Sequence, residues 1–297
     1  MKIFIGKLLF ALAFIAFLML GCEKKQQSST EGVVVEEAST DMAILENLGW
    51  EMGMQTYTLR KFTLEEAFAK TKSLGLHYAE IYNGQEIGGG VEGKVHFTMS
   101  SELRQKALEM AAANDIEIVQ FGVTNGKNEK EWEQHFEFAK AMGIKTITSE
   151  PKKEDWDLVN DLAKEYDVRV AIHNHPAPSL FWSPDAVLEA CEGHDMIGSC
   201  ADIGHWKRSG LDPVECMKKL EGKIFTFHIK DIAEPKKEAE DVVWGTGVCD
   251  IAAVIEEAQS QGFKGLWSIE YEASPEDNLK EIGESLDYFK KVAGELK

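Results

Sequence analysis

From residue 52 onward the sequence repeats one two-part unit: a short apolar run, then a stretch with apolar side chains three and four positions apart. Each unit reads as a strand buried on both faces, followed by an amphipathic helix that covers the sheet. The runs predict strands over Gly53–Tyr57, His77–Tyr82, Glu117–Val123, Lys145–Ser149, Arg169–Ile172, Met196–Ala201, Ile224–His228 and Leu266–Glu270. Thr63-Leu64-Glu65-Glu66 has capping-box spacing at the first helix start, and Gly75, Gly143, Gly222 and Gly262 stand where helices should stop. Eight strand–helix units leave no residues for a second domain, which predicts an α/β fold of the closed (β/α)8 TIM-barrel type. A doubly wound open sheet is the alternative, but no Gly-x-Gly-x-x-Gly follows the first strand.

The N-terminus lies outside this pattern. Lys2 and Lys7 precede an apolar run, Leu8 to Leu20, that closes on Gly21-Cys22. The run is short for a membrane span and is shaped like the core of a signal peptide. Leu18-Met19-Leu20-Gly21-Cys22 resembles a bacterial lipobox, whose cysteine is acylated after cleavage. The expected organisation is a signal peptide over 1–21, a polar tether over 22–48 with lipid on Cys22, and the barrel over 49–297. Membrane contact would come from the lipid alone, with the barrel extracytoplasmic on the periplasmic or cell-surface side. The four other cysteines, Cys191, Cys200, Cys216 and Cys249, match no zinc or redox spacing and read as buried free thiols. The formal charge is −19, and −21 without the first 21 residues, which hold Lys2 and Lys7. Such a chain repels phosphate backbones, so a nucleic-acid partner is not expected.

In a barrel of this kind the chemistry sits where strands end. The fourth predicted strand ends at Glu150, the fifth at His173-Asn174-His175 and the sixth at Asp202-Ile203-Gly204-His205. The seventh ends at His228-Ile229-Lys230-Asp231, and the eighth at Glu270-Tyr271-Glu272. Four of the eight histidines of the chain are in this set. Carboxylates and imidazoles converging in a buried place call for a cation to offset their desolvation and mutual repulsion. Asp202 and His205 at the end of an apolar strand suit a divalent metal, with Gly204 expected to let the backbone turn sharply. His173 and His175, two apart on a strand, share a face. Trp182, Trp206 and Trp244 fall in predicted rim loops where they could stack on a sugar ring. Gly88-Gly89-Gly90 is expected as a flexible loop over the site mouth.

These strand ends resemble the sugar phosphate isomerase/epimerase superfamily of xylose isomerase-like TIM barrels, over roughly residues 52–292. The His173-Asn174-His175 strand and the Trp244-Gly245-Thr246-Gly247 loop resemble an exported bacterial lipoprotein subgroup. The resemblance implies one divalent metal, manganese first and cobalt or zinc next, with Asp202, His228 and Glu270 as ligands. Family epimerases carry a glutamate where this chain has His173. His173 is therefore expected as the fourth ligand and Glu150 as general base, although an exchange of those roles fits nearly as well. Glu270 and His175 complete the expected catalytic set, and His205, Lys230, Trp206 and Trp244 the substrate contacts. The implied function is metal-dependent isomerisation or epimerisation of a non-phosphorylated sugar through an enediolate. The alternatives are dehydration of a 3-keto sugar on the same scaffold and a non-catalytic sugar-binding lipoprotein. An endonuclease of the same superfamily would need histidines on the second and third strands, where the chain offers only His77 at the wrong end.

Overall fold

The computed structural model describes residues 43–296, so the expected signal peptide, Cys22 and most of the tether lie outside the described residues. Eight parallel strands close on themselves: β1 (Trp50–Gln55), β2 (Tyr78–Ile81), β3 (Glu117–Phe121), β4 (Thr146–Ser149), β5 (Arg169–His173), β6 (Ile197–Asp202), β7 (Ile224–Ile229) and β8 (Gly265–Ile269). Each pairs with its neighbours in sequence, and β1 pairs with β8 to seal the barrel. Outside lie α1 (Leu64–Ser73), α2 (Ser101–Ala113), α3 (Glu129–Met142), α4 (Trp156–Tyr166), α5 (Pro184–Cys191), α6 (Ile203–Arg208), α7 (Pro213–Lys219), α8 (Ile251–Ser260) and α9 (Leu279–Glu295). This is the single-domain (β/α)8 barrel that the repeating pattern predicts.

Local chemistry explains the element boundaries. The Thr63 hydroxyl accepts from Glu66 N and the Glu66 carboxylate accepts from Thr63 N, so the capping box forms as expected. Gly143 ends α3 in the left-handed region, at φ 75°. Two expectations move. β1 starts at Trp50, because Trp50-Glu51-Met52 pairs with Gly265-Leu266-Trp267. Residues 43–48, assigned to the tether, are helical, and Leu45 is buried in the core, so the folded unit begins before residue 49.

The expected flexible loop at Gly88–Gly90 is instead the turn of a small antiparallel hairpin, Glu86–Gly88 with Val91–Lys94. A side chain on Gly88 would strike Thr63, and one on Gly89 would strike Met110. The hairpin is therefore laid against α1 and α2, and glycine is needed for close approach as well as for positive φ.

Strand alternation divides the barrel into two environments. Outward-facing Trp267 stacks on Phe227 at 4.1 Å and meets Trp50 and Phe289 edge-on at 5.2 and 5.1 Å. This aromatic seam ties β7, β8 and β1 to α9, each pair adding about 1 kcal/mol beyond burial. Inward-facing positions carry the polar side chains. All four described cysteines are free and buried, and burial pushes the Cys191 and Cys216 thiols up to about 11 and about 12. None of the four is expected to react with a thiol reagent at pH 8 until the barrel unfolds. Rapid reaction of any one in the folded protein would contradict this packing.

Candidate active site

The site is assembled from inward positions at the ends of five strands. On β6, Asp202 serves two purposes. Its Oδ1 accepts from His205 N at 2.7 Å and so caps α6, which leaves Oδ2 turned to the barrel interior. Asn174, pointing sideways between His173 and His175, fixes the height of this residue. Its Nδ2 donates to the Asp202 carbonyl (2.8 Å), and its Oδ1 accepts from Asp202 N (2.9 Å).

His173, Asp202, His228 and Glu270 converge, with one donor atom from each lying within 4.8 Å of the others. His173 Nε2 is 3.4 Å from Asp202 Oδ2 and 3.9 Å from Glu270 Oε2. His228 Nδ1 is 3.0 Å from the same Glu270 oxygen. Glu150 stands on the other side of the His173 ring, 3.6 Å from Nδ1, and also bonds His175 Nδ1 and Ser179 Oγ. The geometry therefore groups His173, not Glu150, with the other three.

Charge is balanced inside the cluster. Lys230 Nζ is fully buried, 2.7 Å from Glu270 Oε2 and 3.0 Å from both Asp202 Oδ2 and Glu272 Oε1. Burial pulls the Asp202 and Glu270 carboxylates upward, but His205, Lys230 and His173 around the first, and Lys230 and His228 around the second, hold both well below the usual range. Burial opposes charge on His173 and His228 too, yet surrounding anionic groups hold both well above an ordinary imidazole. His205 goes the other way: burial, with Lys230 and His173 nearby, keeps it well below.

Two buried atoms of the cluster, His173 Nε2 and Asp202 Oδ2, lack a well-directed hydrogen bond. Nitrogen and oxygen atoms of this mixed type, buried and converging with Lys230 as the nearby cation, fit a divalent metal.

Above the cluster opens a cavity of about 370 Å³, walled in part by Tyr57, Tyr82, His175, His205, Glu270 and Glu272. Among the described residues no lysine or arginine lines it. Three expected substrate contacts are corrected here. Trp206 is fully buried on α6, because that helix starts directly on Asp202 and turns its apolar side into the core. Trp244 is buried against Phe289, with its backbone N–H donating to Ser285 Oγ, so it anchors a loop onto α9. Lys230 lies beneath the cavity as an internal counter-ion, not on its wall. The aromatic wall is instead Tyr57 and Tyr82, packed edge-on at 5.2 Å.

Sequence reasoning missed Glu80, Gln120 and Arg208. Glu80 on β2 is wholly buried, and its Oε2 receives His228 Nε2, Gln120 Nε2 and Ser268 Oγ at 2.8–2.9 Å. A glutamate inside the four-residue strand Tyr78–Ile81 was the available signal. Arg208 donates to His205 Nδ1 (3.1 Å) and to Asp241 Oδ1 (2.6 Å), which leaves the ring proton of His205 on Nε2.

Comparison with known proteins is consistent with this picture. A family model described as xylose isomerase-like TIM barrel matches residues 68–292. A solved structure of an uncharacterized protein from Parabacteroides distasonis ATCC 8503 is 37% identical, covering 82% of this chain and 99% of that one at a TM-score of 0.68. An inosose dehydratase of Clostridium botulinum (strain Eklund 17B / Type B) is 24% identical over 62% of this chain and 69% of its own length. The structure of an L-ribulose 3-epimerase covers 82% of this chain and 94% of its own at a TM-score of 0.63, with 14% identity, a likeness of fold alone.

Proposed function

This chain belongs to the xylose isomerase-like TIM barrel family, and from that premise we propose that it is a metal-dependent lyase acting on a non-phosphorylated keto sugar. The observation that carries the reading is the composition of the cavity wall. Imidazoles of His175 and His205 face it from β5 and β6, while its carboxylates, Glu270 and Glu272, both leave β8. Moving a proton between the two faces of one carbon needs bases on opposite sides. Elimination needs one base and one acid.

A divalent metal held by His173, Asp202, His228 and Glu270 would supply Lewis-acid polarisation of the substrate carbonyl. Glu270, kept ionised by Lys230 and His228, takes the proton from the carbon next to that carbonyl. The C–H electron pair becomes the new C=C bond as the C–O bond at the next carbon breaks. His175, backed by the Glu150 carboxylate, gives a proton to the departing oxygen. His205 donates Nε2–H to a substrate hydroxyl. A cavity without lysine or arginine suits a neutral sugar, and a lipidated Cys22 would place the reaction outside the cytoplasm, where free sugars are met. Epimerisation is the second reading, and it would use His175, on the β5 side of the cavity, as the base facing Glu270.

The test is metal content by elemental analysis, followed by incubation with keto sugars in D₂O. About one manganese, cobalt or zinc per chain and an enone product without deuterated epimer are expected. A deuterated epimer would establish the second reading instead. No metal and no uptake on addition would sink both.

A further inference from the structure

Under the metal-ligating cluster lies a second layer of inward side chains that the proposed chemistry does not use. Its centre is Glu80, which reaches from β2 across the barrel interior to side chains of β7 and β8. The same oxygen, Oε2, accepts from His228 Nε2 (2.8 Å), Ser268 Oγ (2.9 Å) and Gln120 Nε2 (2.8 Å). Gln120 Nε2 in turn reaches Thr148 Oγ1 at 2.7 Å, so β2, β3, β4, β7 and β8 all meet in this layer. Every one of these side chains is buried. A carboxylate placed there carries a desolvation cost that a structural contact would not require, since an apolar residue would fill the space.

The orientation of His228 shows what the carboxylate does. An imidazole has two nitrogens, and only one can face the cluster. With Nε2–H committed to Glu80, Nδ1 is turned to Glu270 Oε2, among the grouped donors. We infer that Glu80 is a positioning residue: through a hydrogen bond from Nε2–H it holds the His228 ring with Nδ1 directed at the cation and raises the basicity of that nitrogen. This rests on the metal-dependent reading above. Glu80 touches neither cavity nor substrate, so it acts only through His228.

The experiment is calorimetric titration of Zn²⁺ into the wild-type chain, Glu80→Gln, His228→Ala and the double variant. A magnetic-resonance search for a slowly exchanging ring N–H proton of His228 in the cation-free protein accompanies it. Glu80→Gln is expected to weaken Zn²⁺ binding by about 10–100-fold, and to have no further effect once His228 is alanine. The Nε2–H proton is expected in wild type and absent in Glu80→Leu, whereas the Nδ1–H proton shared with Glu270 is expected in both. Equal weakening by Glu80→Gln in both backgrounds would make the residue merely structural and overturn the inference, as would unchanged affinity. If Glu80→Gln shows no cooperative melting, Glu80→Asp, which keeps the charge but withdraws the oxygen, takes its place with the same pattern expected. A wild-type chain that takes up no cation would sink the proposed function, and the Nε2–H proton would then decide the Glu80 contact by itself.

Discussion

Glu270→Gln is expected to keep the barrel folded and to lower turnover by about 10³-fold or more, within the range that a positioned base supplies. The substitution preserves shape and removes one charge. That charge is shared by Lys230 Nζ at 2.7 Å, His228 Nδ1 at 3.0 Å and His173 Nε2 at 3.9 Å, so its loss is felt by every cationic group of the cluster. Lys230 keeps Asp202 and Glu272 as partners, which is why folding should survive. An amide also cannot take a proton from carbon near neutral pH, so the base is lost along with part of the metal site. Steady-state kinetics at saturating metal separate the two effects. Activity within tenfold of wild type under those conditions would remove Glu270 from the role of base.

Arg208→Leu should cost about 3–5 kcal/mol of stability near pH 8, because it leaves a buried carboxylate without its charged partner. That carboxylate is Asp241, 4% exposed, bonded to Arg208 at 2.6 Å and accepting from Glu272 N at 2.7 Å. Burial pushes Asp241 up to about 6 even with Lys230 and Arg208 pulling it down. The folded value is thus raised above the unfolded one, so its contribution is fully present below about 4 and is lost as pH rises through 6. Without Arg208 the folded value rises further. Below pH 6 the side chain is then neutral and the variant recovers, whereas above it the loss grows. Urea unfolding of both proteins at pH 5 and pH 8 reads the difference directly. A gap of the same size at both values would mean that Arg208 acts by packing alone. The same variant frees His205 Nδ1, so a change in substrate affinity should accompany it.

How far the sequence reached can be argued from particular residues. His173, Asp202, His228 and Glu270 were all legible, because a barrel puts strand ends on one rim and strand ends can be read from apolar runs. The role of Gly204 was not. It was expected to permit a turn, but its φ is outside the left-handed region, and a methyl group there would overlap Cγ of Lys230. Glycine is required by a side chain 26 residues away that the local pattern cannot announce. The tryptophans failed for a related reason. Loop position in sequence does not say whether a side chain turns out to the cavity or back into the core, and Trp206 and Trp244 turn back.

The sequence by itself determined the eightfold strand–helix order, the rim on which chemistry gathers and the residue types that gather there. Periodicity is a local property, set by the pleat of a strand and the pitch of a helix. Only the tertiary structure decided that His173, rather than Glu150, groups with Asp202, His228 and Glu270, that Lys230 is an internal counter-ion, and that Glu80 stands behind His228. Those outcomes depend on which atoms of distant strands come together once the barrel closes, because hydrogen bonds form only at about 3 Å and buried charges need a close partner to offset their desolvation.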